Sequence, residues 1–128
     1  MSFLNSLFRI TPLFLGVSIV ACDGPMQTVS LTTEDFRFVP ELVRVQASSP
    51  LTLAVYNAGR EIHEFDSPIL MYAAKTPSSD AAMKAASPGI VLEPGKSVQL
   101  AMAPPPGTYL YICRRKGHAN MTGTLIVE

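Results

Sequence analysis

The sequence predicts an all-β domain, a Greek-key antiparallel β-sandwich or barrel with one short helical insertion. Three observations carry this. Apolar and polar residues alternate with period two through most of the chain, turn signals recur at intervals of roughly eight to twelve residues, and a single stretch, Ser67 to Gly89, loses the alternation. No internal repeat or long charge run interrupts the pattern.

The first strand places Gln27, Val29 and Leu31 on one face and Thr28, Ser30 and Thr32 on the other. Phe36 and Phe38 flank Arg37 ahead of Pro40; Val43 and Val45 then alternate with Arg44 and Gln46, a second strand stopped by Ser48-Ser49-Pro50. Leu51, Leu53 and Val55 continue the alternation as far as Asn57-Ala58-Gly59, whose Asn and Gly tolerate positive φ. From Ser67 to Gly89 the chain is rich in alanine, with Thr76-Pro77 as a helix start and Ser87-Pro88-Gly89 as a stop, so one short helix or an irregular flap is expected there. Strand signals resume at Ile90 to Leu92, break at Glu93-Pro94-Gly95-Lys96, and return with Val98, Leu100 and Met102. Pro104-Pro105-Pro106-Gly107 is a rigid turn, followed by strands at Thr108 to Cys113 and Thr124 to Val127.

A chain of 128 residues has room for one such domain. Ten basic and ten acidic side chains cancel, which removes the whole-molecule electrostatic case for nucleic acid as a partner. Residues 1–21 stand apart: Leu13, Phe14, Leu15, Val17, Ile19 and Val20 form an apolar run of export-signal length, too short and interrupted to span a bilayer. Ile19-Val20-Ala21-Cys22 resembles the bacterial lipobox, in which the signal is cut before a cysteine that receives lipid. The expected organisation is a lipoprotein-type signal peptide over 1–21, a short tether from lipidated Cys22 over 22–26, and the folded domain over 27–128. This places the protein in the periplasm, held to a bacterial membrane through the anchor alone. Two cysteines in an exported chain ordinarily suggest a disulfide; with Cys22 committed to lipid and Cys113 in a motif that needs a thiolate, none is expected.

Chemistry concentrates in one segment. Between Cys113 and Met121 the chain sets a thiolate, the imidazole of His118 and a thioether in the pattern C-x4-H-x2-M, and the only other histidine, His63, follows the Asn57–Gly59 turn. Thiolate and thioether suit Cu(I), imidazole suits both oxidation states, and two imidazoles with one thiolate and a long axial Met make a blue-copper site. Taken singly, each residue has an ordinary reading: Cys113 as a small buried hydrophobe, the histidines as hydrogen-bonded side chains, Met121 as core filler. Together, in a chain with two histidines, they point to a single copper ion. Met26, Met71, Met83 and Met102 are assigned to packing or surface, and no repeated methionine motif supports a second copper. The set leaves no open coordination position of the kind substrate-turning copper and zinc centres keep, so an enzyme is not expected.

The chain resembles the cupredoxins, the family of plastocyanin, azurin and amicyanin. The resemblance rests on Phe36-x-Phe38-x-Pro40, Asn57-x-Gly59 before His63, Pro94-Gly95 before an alternating strand, Gly107-Thr108-Tyr109 before Cys113, and Gly123-Thr124-Leu125 after Met121. It implies His63, Cys113 and His118 as equatorial ligands and Met121 as the weak axial one, and a monomeric carrier of single electrons cycling Cu(I)/Cu(II) between redox partner proteins. The alternative the ligand set permits is a periplasmic copper-binding protein for tolerance, sequestration or delivery.

Three departures from the family matter. The gap from His118 to Met121 is short, as in amicyanin, whereas that from Cys113 to His118 is azurin-like. Glu64 and Arg114 stand where plastocyanin and azurin usually have Asn after the first ligand His and Ser or Thr after the Cys; either a charge-assisted Glu64–Arg114 hydrogen bond ties the two ligand loops, or the two charges are solvated independently. Ile112 replaces the Tyr that plastocyanins carry before the Cys, which leaves the His118 edge as the electron exit, with Arg114, Arg115 and Lys116 beside it as a basic patch for an acidic partner.

Overall fold

Alternation in the sequence becomes pleat in the structure, a computed structural model that describes residues 24–73 and 89–128. Nine strands result: β1 Gln27–Glu34, β2 Arg37–Val39, β3 Leu42–Val45, β4 Leu51–Asn57, β5 His63–Phe65, β6 Ile90–Leu92, β7 Ser97–Met102, β8 Gly107–Ile112 and β9 Thr122–Val127. Along β7 the pattern is strict, with Val98, Leu100 and Met102 buried between exposed neighbours. The strands form a four-stranded sheet, β2-β1-β4-β7, facing a three-stranded one, β3-β9-β8, with the pair β5-β6 at the end that carries His63.

The sandwich is as expected, but its pairing is not purely antiparallel. β1 runs parallel to β4, from Gln27↔Leu51 to Thr33↔Asn57, and β3 runs parallel to β9. Alternation reports which side chains face inward and is blind to strand direction, which is set by the connection. The segment around Pro40 is the second difference. Phe38 lies in a strand of its own, β2, at the edge of the first sheet, and beyond Pro40 the chain crosses to β3 in the second. Proline lacks the N–H a ladder needs, so a change of sheet is an economical place for it.

The insertion begins as a 3-10 helix, Pro68–Tyr72, capped by Ser67, whose hydroxyl accepts from the Ile69 N–H at 3.3 Å; Ile69 and Leu70 turn into the core. The helix signals at Thr76-Pro77 and Ser87-Pro88, together with Met83, lie outside the described residues, as do the expected signal peptide over 1–21 and Cys22. Met102 is buried as assigned, while Met26 and Met71 are exposed. Among the described residues no helix is long and apolar enough to cross a membrane.

Under the end of the sandwich that holds His63, three aromatics lock the two sheets together. Phe38 meets Tyr111 edge-on at 5.1 Å and Phe65 at 6.1 Å between ring centroids, and all three are fully buried. Burial pushes the Tyr111 hydroxyl up to about 12, so it stays protonated and donates to the Pro40 carbonyl at 2.7 Å. Gly123, opposite Tyr111 in the β8–β9 ladder, leaves room for that ring: a Cβ there would collide with Tyr111 Cε2 and Cζ. Gly123→Ala should therefore destabilise the domain by about 1–3 kcal/mol, the range for overpacking a core, read from a lower denaturant midpoint at unchanged m-value.

Candidate metal centre

Each expected ligand sits at the border of a strand, where side-chain direction is fixed by a ladder and backbone freedom is regained. His63 opens β5, Cys113 follows β8 and Met121 precedes β9. An antiparallel bridge between Asp66 and Ile112, with N···O distances of 3.0 and 2.9 Å, joins β5 to β8 and so brings His63 to Cys113. The loop between Cys113 and Met121 is closed on itself: the Cys113 N–H donates to the Met121 carbonyl at 3.0 Å, His118 N–H to Arg115 at 3.1 Å and Met121 N–H to His118 at 2.9 Å. Gly117 makes the turn at φ 90°, a conformation glycine adopts without cost.

The loop closes to a purpose. Ligand atoms of His63, Cys113 and His118 lie within 4.8 Å of one another, and all three residues are buried. The Cys113 Sγ is 3.4 Å from His118 Nδ1 and accepts the Glu64 N–H at 3.4 Å. Met121 is buried in the same loop and lines a pocket with Phe36, Gly117 and His118.

Whether these residues suit a copper ion is tested by His63. Its Nδ1 and Nε2 are both buried with no hydrogen-bond partner, Nε2 with the Asp35 carboxylate 3.6 Å away. An orphaned imidazole nitrogen in a dry interior is costly unless a metal takes its lone pair. Burial lowers the His63 pKa from its ordinary value, against the opposing pull of Asp35. The ring is thus held in the neutral form that ligates metal. Two imidazoles and a thiolate converging in a closed pocket match copper's preferences.

Around these ligands the loop from β4 to β5 is built on Asn57. Its Nδ2 donates to the Glu61 carbonyl at 2.8 Å and the Leu92 carbonyl at 2.9 Å, and its Oδ1 accepts the Gly59 N–H at 2.8 Å. Asn57→Ala removes all three bonds at a fully buried position. At about 1 kcal/mol each, the cost should be roughly 2–3 kcal/mol in chemical denaturation, with weaker copper binding because His63 loses its support.

Arg114 has a partner beyond the expected Glu64. Arg114 Nε donates to Asp66 Oδ2, and this ion pair is the main cause of the raised Arg114 pKa, with Glu64 a lesser charge nearby. Asp66 pairs with Ile112, which places it diagonal to Arg114, and the Glu64 carboxylate lies close to Gly89 beside β6. A charged pair through Asp66 thus ties the two loops.

A family model for the cupredoxin-like domain matches residues 10–127. The chain belongs to the cupredoxin-like domain family. Among solved cupredoxins, auracyanin B is 26% identical with a TM-score of 0.58, covering 88% of this chain and 96% of its own. Auracyanin A, described as a "blue" copper protein of the green thermophilic photosynthetic bacterium Chloroflexus aurantiacus, is 22% identical with a TM-score of 0.56 over 81% of this chain and 100% of its own. The auracyanin of the photosynthetic bacterium Roseiflexus castenholzii, solved in a dithionite-reduced form, shares the fold at 17% identity and a TM-score of 0.59, covering 82% of this chain and 99% of its own. A search of curated protein sequences gave no match. This cupredoxin domain thus brings together the His63, Cys113 and His118 donors expected of a site for a single copper ion.

Two neighbours of the site went unread in the sequence. Glu61 Oε2 lies 3.0 Å from His118 Nε2, and Asp35 faces His63. With Phe36 edge-on to His118 at 5.3 Å, Glu61 covers the imidazole edge expected to be open, leaving His118 4% exposed. Phe36 itself is exposed and adopts φ 70°, a conformation costing a bulky residue on the order of 1 kcal/mol.

Proposed function

We propose that this cupredoxin is a periplasmic one-electron carrier, tethered to a bacterial membrane through lipidated Cys22 and exchanging electrons with redox partner proteins. The observation that carries the reading is the closed ligand pocket, in which three donor atoms already lie within 4.8 Å of one another in buried side chains. Bound copper supplies a Cu(I)/Cu(II) couple there. The chain does the rest. His63 and Cys113 are held by the β5–β8 bridge, His118 and Met121 by the hydrogen-bonded loop, so the donors need little movement when the charge at the site changes. Phe38, Phe65 and Tyr111 exclude water from below.

Met121 is the axial donor in this reading, and the saturated set leaves no position for a substrate, so the protein acts as a carrier rather than an enzyme. Partners dock over Phe36 and the His118 loop, where Arg115 and Lys116 are exposed; Arg114 is engaged with Asp66 and contributes less to steering than its sequence position implies. Protein-film voltammetry of the copper-loaded domain tests the proposal. A reversible one-electron wave with copper retained over repeated cycles is expected; loss of metal on each reduction would favour copper delivery instead.

A further inference from the structure

Both ligand imidazoles face a carboxylate with the nitrogen turned away from the thiolate. His118 presents Nδ1 to Cys113 Sγ at 3.4 Å, and its Nε2 is 3.0 Å from Glu61 Oε2. Both His63 ring nitrogens are buried without a hydrogen-bond partner, and Nε2 has the Asp35 carboxylate 3.6 Å away. We propose that Asp35 and Glu61 are positioning residues that set the redox balance of the site, Glu61 by taking the outer N–H of His118 and Asp35 by holding its charge against the outer nitrogen of His63, together favouring the cupric state.

The two carboxylates are held by different parts of the fold. Asp35 sits in the turn between β1 and β2, and its Oδ1 also accepts the Arg60 N–H at 2.8 Å, which anchors the carboxylate over the loop that leads into His63. That loop approaches closely because residue 59 is glycine: a Cβ there would lie 2.8 Å from His63 Nε2 and collide with Asp35 Oδ1. Glu61 is fixed at its backbone, since its carbonyl accepts from the buried Asn57 side chain at 2.8 Å, and its side chain reaches across to the other ligand loop. Each ligand histidine therefore has a carboxylate against its outer nitrogen, hydrogen-bonded in the case of His118 and 3.6 Å away in the case of His63.

The physical consequence has a definite sign. A carboxylate on the outer nitrogen fixes the tautomer and makes the imidazole a stronger donor. It also adds negative charge near the metal, which stabilises the more highly charged oxidation state more than the lower one. Both effects lower the reduction potential. Asp35, about two-thirds covered, is screened less by solvent than Glu61, whose side chain is 58% exposed. The Asp35 effect per charge is therefore larger for equal distance, and the shorter Glu61 contact offsets this.

This inference rests on the copper reading, and the test separates the two. Glu61→Gln and Asp35→Asn keep the shape and an accepting oxygen while removing the charge. Cu(I) and Cu(II) affinities would be measured by competition with calibrated chelators, together with the midpoint potential by voltammetry. Each variant should weaken Cu(II) relative to Cu(I) binding by about tenfold, which for one electron is a rise of about 59 mV, and the double variant should approach the sum. Glu61→Lys, at an exposed side chain, should raise the potential further still. In the diamagnetic Cu(I) protein, the His118 Nε2 proton should be visible by NMR and protected from exchange, and Glu61→Ala should expose it. A normal thiolate-to-copper band with an unchanged Cu(II)/Cu(I) affinity ratio in both single variants overturns the carboxylate role alone. No such band in the unsubstituted protein overturns the copper reading with it.

Discussion

Cys113→Ser should abolish the intense visible absorption of the copper-loaded protein while the β-sandwich stays folded. The thiolate is the donor whose charge transfer to Cu(II) gives that band, and serine offers a harder, far less acidic oxygen in its place. Cys113 is a free, buried thiol one residue beyond β8, and the strand's own ladder runs from Gly107 to Ile112, so the substitution leaves the pairing intact. Its N–H still donates to the Met121 carbonyl. The imidazoles of His63 and His118 remain to give residual binding, but Cu(II) affinity should fall by more than the roughly 10–100-fold typical of losing an outer hydrogen-bond partner. Circular dichroism matching the unsubstituted protein, with the band gone, is the expected pair of observations. A surviving band would mean that Cys113 is not the thiolate ligand.

The second large effect lies beneath the site. Phe38→Ala should lower the free energy of unfolding by about 3–5 kcal/mol, because it removes a fully buried ring between Phe65 and Tyr111 and leaves a cavity the two sheets cannot close. Each kcal/mol corresponds to roughly 4–8 °C in Tm for a domain of this size, so thermal unfolding of the copper-free protein reads the change directly. Phe65 precedes Asp66, the bridge residue, and Tyr111 precedes Ile112, its partner, so the cavity also lies beside the contact that brings His63 to Cys113. Weaker copper binding should accompany the loss of stability. A Tm shift of only a few degrees would show that the aromatic cluster is not what joins the sheets at this end.

The legible part of this protein was what side-chain type and local spacing determine. Alternation identified the inward residues of β1, β4 and β7, because a half-buried strand has to alternate. The three donors were readable because copper's demand for imidazole and sulfur is narrow and the chain has two histidines. Direction and partnership were less so. Nothing local distinguishes the parallel β1–β4 ladder from an antiparallel one, or shows that Phe38 and Val43 serve different sheets. Arg114 illustrates why charge pairs are hard to assign from adjacency to ligands: besides Glu64, the register of the Asp66–Ile112 bridge brings Asp66 to it. Asp35 and Glu61 were missed for the same reason. Asp35 lies far along the chain from His63, and Glu61, two residues before His63, serves the other histidine. Only their shared position in turns that flank the ligand loops marked them out.

The central claim, one copper held by a buried thiolate and two imidazoles, is most directly tested by titrating the copper-free domain with Cu(II) and following the visible spectrum. The account predicts an intense thiolate-to-copper band that grows linearly and stops at one equivalent per chain, since His63, Cys113 and His118 make one site. Binding without such a band, or a band that continues to rise past one equivalent, would contradict it.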